Sequence, residues 1–271
     1  MAYQTQYINT HIKLSCFDDK LFKTDVLFED HLLVWIISGE TKIIQADKTY
    51  VFQAGDTLLF PRHQLVKVIS HYKDGLPHKS VAMHLTSAWL KDFYTKYKVQ
   101  VRQLQVPQFR SFDRHPLLQS CLASLIHYFD LEETLPENLA SLKIEEAVNI
   151  LRVIDPTIDQ DLASFEDPGK IDLSGFMEKN YMFNMPLNKF GYLTGRSLTT
   201  FKRDFKKVFN TTPQKWLTQK RLELAHYELS EKKRRPGEVY LEVGFENLSH
   251  FSYIFKKHFG YTPMEITQSS Y

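Results

Sequence analysis

Nearly the same nine residues occur twice in this chain. "FKKVFNTTP" runs from Phe205 to Pro213 and "FKKHFGYTP" from Phe255 to Pro263, and the same offset of fifty pairs Leu198 with Leu248, Phe201 with Phe251 and Phe209 with Phe259. Positions 198, 201 and 205 share one face of a helix. Thr212-Pro213 and Thr262-Pro263 each fit an N-cap followed by a first helical residue. Upstream of each copy a short helical stretch ends on a glycine, "PLNKFGYLTG" at Gly195 and "EVYLEVG" at Gly244. Each copy therefore reads helix, glycine turn, helix, stop. Between them "TPQKWLTQKRLELAHYELS", from Thr212 to Ser230, reads as one long helix of roughly 28 Å at 1.5 Å per residue. The C-terminal hundred residues are thus confined to an all-helical domain of two similar units.

Two helices across a tight turn can form a helix-turn-helix, whose second helix enters the DNA major groove. An aromatic-cored hairpin repeat would need no ligand, so the opposite face decides. Opposite Leu198, Phe201, Phe205 and Val208 lie Thr199, Thr200, Arg203, Lys206 and Lys207, with Lys202 on the flank. Arginine can grip guanine O6 and N7, small hydroxyls reach base edges, and lysines neutralise phosphate. Thr199, Thr200, Lys202 and Arg203 are therefore candidate base readers. In the second copy the candidates are Ser249, His250 and Tyr253, and Tyr253 stands where the first copy has Arg203. The first helix should discriminate bases more sharply, and the second should contribute more through phosphate contact and shape. Lys206, Lys207, Lys256 and Lys257 are candidate phosphate contacts, as are Arg234 and Arg235 in the basic run "EKKRRPG". The long helix is a spacer able to set both reading helices in successive grooves, about 34 Å apart.

Charge is divided in the same sense. Residues 172–271 hold 16 Lys+Arg against 10 Asp+Glu, whereas residues 1–171 hold 18 against 22. The C-terminal part suits a polyanion and the rest does not. No run approaches the roughly 20 apolar residues of a membrane span, and the first residues lack the basic and apolar regions of a signal peptide, so a cytoplasmic location away from membranes is expected. Cys16 and Cys121 sit in no C-x-x-C arrangement and read as free thiols. Neither a phosphate loop nor a nucleophile elbow is present, so no catalysis is expected.

From about Lys23 to Leu85 the chain reads as seven short strands, "TDVLF", "HLLVWIIS", "TKIIQ", "KTYVFQ", "DTLLFP", "QLVKVIS" and "KSVAMHL", with turns at Ser38-Gly39, Ala46-Asp47, Ala54-Gly55-Asp56 and Asp74-Gly75. Such spacing predicts an antiparallel sandwich or small barrel. Helical periodicity follows in "SAWLKDFYTKY", "HPLLQSCLASLIHYF" and "PENLASLKIEEAVNILRVI". In the last, Leu139, Leu142, Ile144, Val148, Leu151 and Ile154 form a stripe that packs on its own domain or makes a homodimer through the helix within 136–155. The Pro/Gly-containing "SFEDPGKIDLSG" marks a boundary. The expected class is α+β in two domains, 1–168 and 169–271, with helix-turn-helix units at about 185–209 and 236–259.

"GRSLTTFKRDFKKVFNTTPQKWLTQKRLELAHYEL" and "EVGFENLSHFSYIFKKHFGYTP" resemble the DNA-binding domain of the arabinose-regulator (AraC/XylS) family of bacterial transcription factors. The second stretch carries the family's signature residues in register: Gly244-Phe245, Ser249, Phe251, Phe255-Lys256-Lys257, Phe259-Gly260 and Thr262-Pro263. The resemblance implies seven helices in two helix-turn-helix units, binding asymmetric elements near promoters, and most often an activator that contacts RNA polymerase. Val239-Tyr240 and Tyr253 depart from the usual Ile-Ala and Arg.

The strands resemble the cupin-like sensor barrel of such regulators, with a Gly55-x5-Pro61 spacing. His63 stands where catalytic cupins have a second glycine, and His31 stands alone where they have His-x-His. No metal or other cofactor is therefore expected. Trp35, Phe60, Arg62 and His63 are candidates for a small-molecule effector site. A metal-dependent cupin enzyme fused to a DNA-binding module, or a binder needing no effector, are the alternatives.

Overall fold

A computed structural model describes residues 4–17, 21–45, 48–97, 109–131 and 134–268; the turn placed at Ala46-Asp47 lies outside them. The chain divides into two units, Met1–Glu166 and Asp167–Tyr271. No helix among the described residues is long and apolar enough to cross a membrane.

The first unit begins with nine strands, β1 (Gln4–Asn9), β2 (Ile12–Phe17), β3 (Leu21–Leu27), β4 (His31–Ser38), β5 (Glu40–Gln45), β6 (Lys48–Gln53), β7 (Thr57–Phe60), β8 (Leu65–His71) and β9 (His78–Leu85); β10 (Arg110–Phe112) follows later. All neighbours pair antiparallel, in one sheet ordered β1-β2-β9-β4-β7-β10 and another ordered β3-β8-β5-β6. The antiparallel strands and helical C-terminal unit expected from the sequence are borne out; β1, β2 and β10 were not anticipated.

Alternation along β4 shows how one strand serves two cores. Leu32 and Ile36 pack between the sheets with Ile43, Phe52 and Phe60. Leu33 and Trp35 point the other way, into a second core built with the helices. Those helices are α1 (Ser87–Tyr97), α2 (Pro116–Ala123), α3 (Ile126–Asp130), α4 (Glu137–Ile154) and α5 (Asp159–Leu162). Residues 115–129, expected as one helix, break between α2 and α3 at Ser124, whose hydroxyl donates to the Cys121 carbonyl at 2.6 Å, a local bond that competes with helical continuation. On α4 the stripe divides. Ile144, Val148 and Leu151 are buried in the unit's own core, whereas Leu139 and Leu142 are exposed.

Two polar knots lie beside this core. Arg110 of β10 donates from Nε to Asp161 at 2.5 Å and from Nη1 to Thr157 at 2.9 Å and to Asp155. Elsewhere the backbone N–H of Arg62 donates to Nδ1 of fully buried His31 at 3.3 Å. Burial, with the Arg62 and His63 charges beside it, pulls the ionisation of His31 down to about 3. The unfolded chain takes up a proton near pH 6.5 that the folded chain refuses, so this contribution is complete above pH 6.5 and is lost as pH falls towards 3. Between pH 7 and pH 5 His31 should remove about 2 kcal/mol of the first unit's stability. Burial likewise lowers His78 and His84, each to about 4, so unfolding titrations at the two pH values should show a larger total loss, which His31→Asn should shrink by about 2 kcal/mol; an unchanged slope in the variant would contradict the assignment.

The second unit holds α6 (Leu173–Asn180), α7 (Leu187–Leu193), α8 (Leu198–Phe209), α9 (Pro213–Ser230), α10 (Pro236–Glu242), α11 (Leu248–Phe259) and α12 (Pro263–Gln268). The repeat is visible in the caps. Ser197 and Asn247 accept from the third residue of α8 and α11, and Asn210 and Gly260 end those helices in the left-handed conformation. Thr212 caps α9, with Pro213 first in the helix. Phe201, Phe205, Phe251 and Phe255 are fully buried. Gly195 has φ +66°, and a Cβ there would lie 2.3 Å from the carbonyl carbon of Gly169. The segment entering this unit is thus seated on the first turn. It is held by Tyr192, which donates to Asp167 at 2.9 Å, and by Arg196, which donates to the Ile171 carbonyl at 3.2 Å.

Candidate nucleic-acid interface

Two helix pairs, α7 with α8 and α10 with α11, stand on either side of α9. Their turns use Gly195 and Gly244, both at positive φ where a side chain is strained. Phe201 and Phe205 anchor α8 inward, Phe209 stacks on Phe205 at 4.3 Å, and Trp216 of α9 closes over both. Leu198 and Val208, placed by angle on this buried face, are exposed. They sit at the two ends of α8, beyond the reach of its packing partners.

The polar face of α8 is open. Thr199, Lys202, Arg203, Lys206 and Lys207 are exposed, and Thr200 is half-buried because its hydroxyl accepts from Ser197 at 3.0 Å. Arg203 donates through Nε and Nη2 to the Asp204 carboxylate, both at 3.3 Å, and Arg196 donates to the same carboxylate at 3.2 Å. Asp204 therefore holds the guanidinium of Arg203 in place at the surface. On α11, Ser249, His250, Tyr253, Lys256 and Lys257 are exposed, Tyr253 at 65%. Both helices thus present hydroxyls near their start and lysines near their end, and α11 adds the rings of His250 and Tyr253. Lys215 of α9 joins Lys257 and His258 along a cleft of about 550 Å3 between α9 and α11.

The basic run divides. Arg235 is exposed at the N-cap of α10. Arg234 is half-buried and donates to Glu228 at 3.0 Å and Glu242 at 2.6 Å, clasping the end of α9 to α10. Two carboxylates already occupy its donors and compete with any phosphate.

The residue that sequence reasoning missed is Arg221. It is 9% exposed. It donates to three backbone carbonyls: Tyr181 at 3.0 Å, Gly244 at 3.1 Å and Phe183 at 2.6 Å. The first and third belong to the loop before α7, the second to the turn of the other unit. One guanidinium therefore ties both helix pairs to the middle of α9. The signal was present: Leu217, Arg221, Ala225 and Leu229 recur every fourth residue, which puts the arginine on the buried stripe.

In the first unit the four candidate effector residues do not converge. Phe60 lines a cavity between the sheets. Trp35 faces the helices instead, because alternation along β4 sends it to the opposite side from Leu32 and Ile36. Arg62 is buried and donates to the Ser87 hydroxyl at 2.9 Å and the Phe165 carbonyl at 3.4 Å, so it pins the end of the unit. His63 occupies a turn at φ +64°. Among the described residues no three His, Cys, Asp or Glu side chains converge as metal ligands would.

The chain matches the family described as "Helix-turn-helix domain" over residues 193–269 and the family described as "ExsA N-terminal regulatory domain" over residues 31–151. The HTH-type transcriptional regulator ExsA of Pseudomonas aeruginosa is 28% identical over 240 residues, covering 86% of this chain and 84% of ExsA. These matches bear out the resemblance to AraC/XylS transcriptional regulators read from the sequence. A second relative, the virulence regulon transcriptional activator VirF of Yersinia enterocolitica, is 25% identical over 264 residues, covering 90% of this chain and 91% of VirF. A crystal structure of ToxT from Vibrio cholerae aligns with 99% of this chain and 98% of its own, at 12% identity and a TM-score of 0.39. By these matches the chain is a DNA-binding transcriptional regulator, and α8 and α11 are the second helices of its two helix pairs.

Proposed function

We propose that this regulator activates transcription in the cytoplasm by reading two adjacent promoter elements with α8 and α11 and contacting RNA polymerase. The first unit responds to a small-molecule effector and offers the exposed Leu139 and Leu142 of α4 as a homodimer contact. Thr199, Thr200, Lys202 and Arg203 read bases in one groove, and Ser249, His250 and Tyr253 in the next. Lys206, Lys207, Lys256, Lys257 and Arg235 hold phosphates. Arg234 is withdrawn from that set by its two carboxylate partners. A relative named as a transcriptional activator supports the sign of regulation.

The observation that carries this reading is Arg203. Its side chain is 63% exposed at the centre of the polar face and braced by Asp204. Arg203→Ala should weaken binding to the specific site by about 1–3 kcal/mol and relax sequence preference. Titrations on specific and scrambled duplexes test it, with genome-wide occupancy supplying the specific sequence. Equal losses on both duplexes would make Arg203 a phosphate contact and remove the base-reading assignment.

A further inference from the structure

The first reading helix carries a series of side-chain bonds that the second lacks. Asp204 is the one acidic residue of α8, and α11 has none. A carboxylate on a face offered to a polyanion repels it, so its presence calls for a compensating role. Both of its oxygens are engaged. Oδ2 accepts from Nε of Arg196 at 3.2 Å, and Oδ1 accepts from Nε and Nη2 of Arg203, each at 3.3 Å. Burial opposes ionisation of Asp204, but the bonds from the two arginines outweigh it and hold the carboxyl below its usual range. With both oxygens occupied, Asp204 is not itself a base reader.

Arg196 is fixed in turn. Its side chain is 11% exposed, and Nη1 donates to the Thr194 carbonyl at 2.6 Å and to the Ile171 carbonyl at 3.2 Å. Its backbone N–H donates to the Gly191 carbonyl at 2.9 Å. The bonds thus run from the entering segment at Ile171 through Arg196 and Asp204 to Arg203. Asp204 engages one side of the Arg203 guanidinium, and the remaining N–H donors are left for a base edge. Counted from the caps Ser197 and Asn247, the other copy has Glu246, Tyr253 and Ile254 at these three positions, and Glu246 accepts instead from Asn184 at 2.8 Å. The capping bonds and buried phenylalanines are shared by the two copies, whereas all three members of the series change together.

We infer that Arg196 and Asp204 are positioning residues for base reading in the first groove: Arg196 fixes the carboxylate, and the carboxylate turns the guanidinium of Arg203 toward one guanine. An arginine set in advance loses less side-chain freedom on binding. A guanidinium held at one angle also matches the O6 and N7 acceptors of guanine more selectively than a freely rotating one. The inference rests on the assignment of Arg203 as a base reader and names the residues that sharpen that reading.

The test uses the full chain, the specific duplex, and copies of that duplex in which each guanine in turn is replaced by 7-deazaguanine, which lacks the N7 acceptor. Titrations on these and on a scrambled duplex give the preferences. Arg203→Ala identifies the guanine it reads, as the position where the preference for N7 disappears. Asp204→Asn, equal in size and decisive by itself, should lower the preference for that guanine about fivefold. The same variant should bind the scrambled duplex at least as tightly as the native chain, because a negative charge has been removed. Arg196→Met should act in the same direction, and adding it to Asp204→Asn should change the preference little further, since members of one network do not add. If Asp204→Asn tightens all duplexes alike and leaves the preference unchanged, Asp204 is only a repelling charge and the inference is overturned. Fully additive losses from Arg196→Met and Asp204→Asn would overturn the series. If Arg203→Ala removes the preference while Asp204→Asn does not, the positioning role falls and the base-reading assignment stands. If Arg203→Ala leaves every preference intact, both fall.

Discussion

Arg221→Ala should lower the stability of the second unit by about 4 kcal/mol. The guanidinium is buried and bonded to the carbonyls of Tyr181, Phe183 and Gly244, and each acceptor left without a donor costs about 1–3 kcal/mol. Part of that sum is returned, because the variant no longer buries a charge. Arg221→Lys should recover little of it, since one ammonium cannot span three fixed acceptors as a planar fork does. Trp216 lies against Phe205 and Phe209, and in a background with Trp35 and Trp89 replaced by phenylalanine its fluorescence reports urea unfolding of this unit alone. A loss below about 1 kcal/mol would mean that water takes over the carbonyls. A second consequence concerns geometry. Because Arg221 joins the loop before α7 to the turn after α10, a folded variant should also tolerate a changed spacing between the two half-elements better than the native chain.

Arg110→Ala should cost the first unit about 3 kcal/mol, the usual range for removing one partner of a buried pair. Asp161, 4% exposed, keeps its charge in a place from which water is largely excluded. The pH dependence should then reverse locally. In the native chain burial opposes ionisation of Asp155, but the Thr157 hydrogen bonds and the Arg110 charge outweigh it and hold the carboxyl below its usual range. That contribution is present above the unfolded carboxylate pKa and fades as pH falls through the folded one. In the variant Asp161 should titrate above its ordinary range, so the defect should shrink on mild acidification, and Arg110→Ala combined with Asp161→Asn should regain much of the loss. Chemical denaturation at pH 7 and pH 5 measures both; a defect of constant size would refute the buried-charge account.

The C-terminal unit was largely legible because local signals agreed. The paired phenylalanines, the Thr-Pro starts and the turn glycines each specify a backbone conformation or a buried face within a few residues. What failed there depended on partners distant in sequence. Nothing near Arg221 names Tyr181 or Gly244, and the run Lys232 to Arg235 does not reveal that Glu228 and Glu242 close on Arg234. In the first unit β3 to β9 were readable from β-branched and aromatic runs. "QTQYIN" and "IKLSCF" are too polar for that test and become strands by pairing with each other and with β9. The effector residues were misplaced for a geometric reason: adjacent positions on a strand face opposite cores, so Trp35 could not join Phe60 without a change of register.

The stretch from Asp167 to Ile171 has the composition of a flexible tether, yet it is bonded to Tyr192 and Arg196, and Gly169 fits against Gly195. It behaves as a strap buckled onto the first helix-turn-helix. Tension or slack transmitted along the chain therefore arrives at the turn before α8 and reaches α11 through α9 and through the bond that Asn184 donates to Glu246. Exchanging this strap for a glycine-serine spacer of equal length would leave the chain connected but take away the fastening by which one end of the reader is gripped.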